Sequence, residues 1–256
     1  MTIGVHAFWA FMLIFSRMTA LFVTAPVFSA RFAPAHVKVA LAGLLSFALL
    51  PVVEPMTQKV PADLVTLAGQ IFAETMVGLC IGLIVQLIFT SLQIAGAFSD
   101  TQIGFNMINT LNPVSDVQSS ATGALFYQLG ITLFLIMGGH LFLIRTIADS
   151  YLTVGPGAAH FIGDISGVMV GLVGEMFMLA FRIAAPVAGV LLVVDVAFAI
   201  IARTVPQISI FIVGMPVKVI VGLTTVALVL PVVAIVISQF IPVISSGTHS
   251  ALQAVR

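Results

Sequence analysis

Three apolar stretches in this chain are too long for the layer they would have to cross. Residues 64 to 99, 165 to 201 and 208 to 244 hold 36 or 37 residues each. A bilayer core is about 30 Å thick and needs about 20 helical residues, whereas 36 residues at 1.5 Å each make a helix of ~54 Å. Such stretches must be kinked and folded back, or they meet something other than lipid along part of their length. Pro186, Pro216 and Pro231 offer breaks in the last two, because proline lacks the N–H that would close a helical turn. The stretch from 64 to 99 has Gly78 and Gly82 instead.

Three shorter apolar stretches complete the chain: 5 to 29, 39 to 53, which ends at Pro51, and 121 to 148. Loops are expected at 30–38, 54–63, 100–120, 149–164 and 203–207. Only 7% of the 256 residues are charged, against 61% hydrophobic. A soluble domain of this length would carry far more surface charge. The fold class is therefore all-α, a polytopic membrane protein, and residues 1–256 are expected to form a single membrane domain. No basic region precedes the first apolar run, so it is expected to stay as a helix rather than to be a cleaved leader. Nine basic and nine acidic residues cancel, which argues against nucleic acid as a partner. The single cysteine, Cys80, excludes a disulfide within the chain and reads as a small buried residue.

The apolar stretches carry ionisable residues at Arg17, Glu74, Glu175, Arg182, Asp195 and Lys218. Each would cost roughly 2.5–3.5 kcal/mol at the centre of a lipid-facing helix. They must pair, face water, or be covered by protein. Glu175 and Arg182 share one helix face, ~10.5 Å apart, and are expected to meet directly or through one partner. Two small-residue motifs, GLCIG at 78 to 82 and GVMVG at 167 to 171, would let helix backbones approach closely, inside the bundle or against another subunit.

The stretch from 100 to 120, DTQIGFNMINTLNPVSDVQSS, places Ile103, Phe105, Met107, Ile108 and Leu111 among polar residues, with Gly104 and Asn106 available for unusual backbone angles. A loop facing water has no use for those apolar side chains. They suit a plug over a pore, or a loop packed on its own bundle. Asn112-Pro113 reads as a turn, and Ser115 with Gln118 as a capping box for the next helix.

Enzyme readings find no support. His6, His36, His140, His160 and His249 are scattered without ligand spacing, GDISG at 163 to 167 has serine in the wrong place for a nucleophile elbow, and no phosphate-binding loop is present. No cofactor and no metal are implied. His140, after two glycines, is expected to pack or cap.

The segment RTVPQISIFIVGMPVK combines Arg203, Pro206, Gln207, Phe211, Val213, Gly214, Pro216 and Lys218. It resembles the signature of the FliR/SpaR/YscT family, the R-type subunits of flagellar and type III secretion export gates. Pro26, Phe28, Arg31, Pro34 and Lys38 fit the family's first loop, Glu74 ahead of GLCIG its third stretch, and QIGFNMINTLNP and GGH its middle. The resemblance covers nearly the whole chain in order. It departs in GFNMINTLNP, whose asparagines stand where smaller or acidic residues are expected.

The resemblance implies a non-enzymatic subunit of an export gate in the bacterial inner membrane. About six to seven helices would form broken hairpins in a helical gate assembly. P-type and Q-type subunits (FliP-like and FliQ-like) would be its neighbours, with FlhB-like and FlhA-like subunits nearby and unfolded protein as cargo. It implies a pore plug at Ile103, Gly104, Phe105, Asn106, Met107, Ile108 and Leu111. It implies a hairpin elbow at Pro206, Gln207, Gly214 and Pro216. Arg17, Glu74, Glu175, Arg182, Asp195, Arg203 and Lys218 would be buried assembly charges. The rival reading is a secondary transporter with a midplane site on broken helices built from Glu175, Arg182 and Asp195. That reading requires an inverted repeat in hydropathy, which the sequence lacks.

Overall fold

The computed structural model describes residues 2–29, 34–56, 60–105, 120–159, 165–205 and 210–255. Every regular element among them is helical. In chain order these are α1 (Thr2–Thr24), the one-turn α2 (Pro26–Ser29), α3 (Ala35–Val53) with a 3-10 turn at Glu54–Met56, α4 (Leu64–Ile103), α5 (Ala121–Ile136), α6 (Gly139–Thr153), α7 (Ile165–Thr204), α8 (Ile210–Ser238) and α9 (Phe240–Val255). Five helical segments are long and apolar enough to cross a membrane, or six if the bent pair α5–α6 counts as one span. The all-α membrane class read from the sequence is the class observed.

The overlong stretches resolve differently from one another. α4 and α7 each run unbroken for 40 residues, ~60 Å at 1.5 Å per residue. Pro186 lies inside α7, Pro216 and Pro231 inside α8, and Pro51 inside α3. None of these prolines ends its helix. A proline deletes one backbone hydrogen bond, and the turns on either side carry the helix through. The stretch from 208 to 244 breaks instead at Gln239, whose N–H turns back to the Val236 carbonyl at 3.0 Å. The stretch from 121 to 148 breaks at Gly138, where α5 and α6 meet at 70°. Gly138 adopts φ +76°, a left-handed conformation that glycine reaches without steric cost.

The chain divides into two compact units. The first comprises residues 1–87, 134–174 and 240–256. In it α1 packs along α3, and α6 along α9. Its core is built from Leu13, Ile14, Met18 and Leu21 of α1, Val77, Ile81 and Ile84 of α4, and Leu143 and Ile147 of α6. The recurrence at three and four residues is that of a helix with one buried face. Gly78 and Gly82 set the approach of α4 to α1. A Cβ at Gly78 would lie 2.2 Å from the Arg17 carbonyl oxygen, and one at Gly82 would lie 1.7 Å from Thr24 Oγ1. The GLCIG motif thus packs inside the unit.

The second unit comprises residues 88–133 and 175–239. Phe89, Leu92 and Ala95 of α4 are buried there, with Leu179, Ile183, Val187 and Leu191 of α7 at a spacing of four and Val229, Val233 and Ile237 of α8. Phe98 and Phe181 meet edge to face at 5.9 Å between ring centres. Gly96 and Gly123 bring α4 and α5 into backbone contact, since a Cβ on Gly96 would stand 2.1 Å from the Gly123 nitrogen. The outward faces of α7 and α8 stay apolar, with Leu192, Val193, Ile200, Ile220 and Leu228 exposed. Gly171, at the end of GVMVG, has open space beside it.

Candidate functional site

Arg17 of α1 and Glu74 of α4 form the polar centre of the first unit. Both side chains are fully buried. Arg17 Nε donates to Glu74 Oε2 at 2.6 Å and Nη2 to Oε1 at 3.0 Å. The planar guanidinium matches the carboxylate fork, which holds both groups in one orientation. Remaining donors are used as well. Nη1 reaches Ser150 Oγ at 2.8 Å and Nη2 the Val154 carbonyl at 3.4 Å. The Tyr151 ring lies 3.8 Å from the guanidinium carbon, a cation–π contact. Glu74 also accepts from the Gly157 N–H at 2.7 Å and the Tyr151 hydroxyl at 3.4 Å. The close α1–α4 approach at Gly78, one turn beyond Glu74, is what lets the pair meet. The pair therefore ties α1, α4, α6 and the turn after α6 into one cluster. The sequence marks Arg17 and Glu74 as charges needing cover. It does not mark Ser150, Tyr151 and Gly157, whose residue types are common on any helix or turn.

The other intramembrane charges behave differently. Lys218 of α8 pairs with Asp195 of α7, and both side chains keep partial exposure, 26% and 41%. Arg182 donates to Gln239 Oε1 at 3.3 Å on an exposed face. Glu175 and Arg203 are exposed, and among the described residues no ion pair joins Glu175 to Arg182. Within this chain Glu175, Arg182 and Arg203 are therefore not buried. The reason is geometric: these residues lie on the outward stripe of α7, and none of the described residues covers them. Arg203 sits in the last turn of α7, where a cation is favoured by the helix dipole. Glu175 and Asp195 are twenty positions apart on one helix, ~30 Å, so Glu175, Arg182 and Asp195 do not converge on a midplane site.

The stretch read as an elbow is split by the helix ends. α7 closes at Thr204 and α8 opens at Ile210. Pro206 and Gln207 fall outside the described residues. Gly214 is buried and Pro216 exposed, both within α8, so neither forms the turn.

The stretch read as a plug begins later than position 100, because α4 continues to Ile103. Ile103 is fully buried and packs on α8: a Cβ at Gly222 would lie 2.5 Å from its Cγ1. It belongs to the core of the second unit, not to an exposed loop. Gly104, at φ +97°, and Phe105 both donate their N–H groups to the Asp100 carbonyl at 3.0 Å, which ends α4. Asn106, Met107, Ile108 and Leu111 fall outside the described residues, as does Ser115. The cap observed on α5 is Ser120, whose Oγ accepts from the Gly123 N–H at 2.7 Å.

Next to it lies a residue that sequence reasoning passed over. Asp100 is only 2% exposed. It accepts from Ser120 Oγ at 2.7 Å and the Thr122 N–H at 3.2 Å through Oδ2, and from Thr122 Oγ1 through Oδ1. Its signal was slight: a carboxylate at the end of an apolar run, twenty residues before a Ser-Ser-x-Thr start.

Comparison with known proteins bears on the whole chain. Residues 8–242 match the model of the family described as bacterial export proteins, family 1. The flagellar biosynthetic protein FliR of Bacillus subtilis (strain 168) is 34% identical over 238 residues, covering 91% of this chain and 90% of that protein. The FliR protein of Caulobacter vibrioides is 31% identical over 88% of this chain and 89% of its own length. That of Escherichia coli (strain K12) is 27% identical over 85% and 83%. With a match that runs from α1 into α9, and with similarity to flagellar biosynthetic proteins FliR over most of its length, the chain belongs to the family of bacterial export proteins, family 1.

Proposed function

We propose that the chain is a non-enzymatic subunit of a flagellar-type protein export gate in the bacterial inner membrane, acting as one export-gate domain over 1–256. The observation that carries this reading is the family match over residues 8–242. The outward stripe of α7 supports it: Glu175, Arg182 and Arg203 stand exposed beside large apolar side chains. Lipid meets such a stripe at a cost of roughly 2.5–3.5 kcal/mol per central charge. Neighbouring protein helices, with polar groups of their own, meet it without that penalty. P-type and Q-type subunits are the neighbours proposed, with FlhB-like and FlhA-like subunits at the same apparatus. The helices would stack with them as broken hairpins around a pore for unfolded cargo.

The segment from Gly104 to Leu111 is proposed as the pore plug. Apolar side chains close a narrow pore by dewetting and need no charged gate. Flexible methionine and rotatable phenylalanine yield to a passing chain. Deleting Gly104 to Asn109 tests the plug. Complexes that assemble and conduct small ions across the membrane support it. Assembled complexes with a tight membrane sink it, and loss of assembly favours a loop that packs on its own subunit. Purification in mild detergent tests the gate itself. Two small, very hydrophobic subunits in excess over the tagged chain are expected, and a lone monomer or dimer overturns it.

A further inference from the structure

We infer that the Asp100 carboxylate is a staple that holds together the two ends of the segment between Phe105 and Ser120, and so positions that segment. Three features carry the inference. First, the side chain joins helix ends distant in sequence. Asp100 belongs to the last turn of α4, and its donors Ser120 and Thr122 belong to the start of α5. Second, the electrostatics favour bridging. A carboxylate is disfavoured at the C-terminal end of its own helix and favoured at the N-terminal end of another. Oδ2 takes the Thr122 N–H while Ser120 takes that of Gly123, so two free N–H groups of the first turn of α5 are capped together. Third, the staple sits one turn beyond the close Gly96–Gly123 backbone contact. Ile103, locked against Gly222, stops the α4 end from turning away.

A buried carboxylate with both oxygens occupied is stable only while its donors stay in place. The end of α4 and the start of α5 therefore stay joined while those donors are in place. The consequence for ion leakage rests on the plug reading. The staple itself does not.

The experiment uses the full chain in its assembled complex, with Cys80→Ser and spin labels on the exposed positions Thr101→Cys and Ala121→Cys. Distances between the labels are read by pulsed electron resonance. The unmodified staple is expected to give one narrow distance. Asp100→Ala is expected to lose it in favour of a broad distribution reaching longer distances. Ser120→Ala with Thr122→Val, which removes both hydroxyl donors and leaves Asp100 in place, is expected to broaden it as well. An unchanged narrow distance in Asp100→Ala overturns the staple. Should Asp100→Ala fail to assemble, the Ser120–Thr122 variant decides the matter by the same measurement. Ion conductance of the same complexes separates the two proposals. Broadened distances with a leak support both. Broadened distances with a tight membrane, where the Gly104–Asn109 deletion leaks, overturn the positioning role. A tight membrane in that deletion as well sinks the plug and leaves the staple to the distance measurement.

Discussion

Arg17 and Glu74, 57 positions apart in the chain, face each other with both side chains at 0% exposure, joined through Nε and Oε2 at 2.6 Å. No other described ion pair in this protein is so enclosed. Its partners from α6 and the following turn occupy further hydrogen-bonding positions of both groups.

Removing one member strands the other. Arg17→Ala and Glu74→Ala are each expected to destabilise the purified chain by about 3–5 kcal/mol, the cost of an uncompensated buried charge. Arg17→Ala combined with Glu74→Ala is expected to lose less than the sum, because no charge is left without a partner. Thermal unfolding in detergent, followed through a double-mutant cycle, measures the difference. Additive losses would show that the two residues act separately.

Lys218 and Asp195 are expected to behave otherwise, since both side chains keep contact with the surroundings. Their separation should change the stability of the isolated chain by at most about 1 kcal/mol. The larger effect is expected on assembly, where a neighbour would cover Asp195 with its charge unpaired. Lys218→Met should therefore lower the yield of complex more than Lys218→Arg, which keeps the charge. The exchange of Lys218→Asp with Asp195→Lys should recover part of it. Native gel recovery reads all three, and a normal yield in Lys218→Met would show the cation to be dispensable.

The glycines of the two small-residue motifs make opposite predictions. Gly82→Ala would drive a methyl into Thr24 and is expected to cost about 1–3 kcal/mol, as overpacking does. Gly171→Ala meets nothing among the described residues, and alanine is the better helix former by about 1 kcal/mol. It should leave the isolated chain as stable as before or slightly more so. Thermal unfolding compares them. A drop in assembly confined to Gly171→Ala would mark that glycine as a contact between subunits.

Residue chemistry alone settled the class of this protein, and resemblance to a known signature pointed to its family. Apolar runs that exceed a bilayer, with only 7% charge, leave little besides membrane helices, because each backbone polar group in lipid must be satisfied within its own helix. The ordered signature from Pro26 to Lys218 carried the family resemblance, which the match over 8–242 bears out. Arg17 and Glu74 were legible as charges needing cover, since their cost follows from residue type and position in an apolar run.

Tertiary packing decided who meets whom. Glu175 and Arg182 share a helix face, but Gln239 of another segment offers Arg182 its hydrogen bond. Lys218 found Asp195, 23 positions away, because α7 and α8 lie side by side there. Pro186, Pro216 and Pro231 read as breaks, yet the helices run through them. A proline costs one hydrogen bond, and side-chain burial along the rest of a long helix outweighs it. Ile103 read as part of a loop until Gly222 gave it a place to pack. Asp100 drew no reading from the sequence, and only the approach of α5 to the end of α4 brought Ser120 and Thr122 within reach. In each case the sequence states what a side chain requires, and the meeting of distant helices determines which group supplies it.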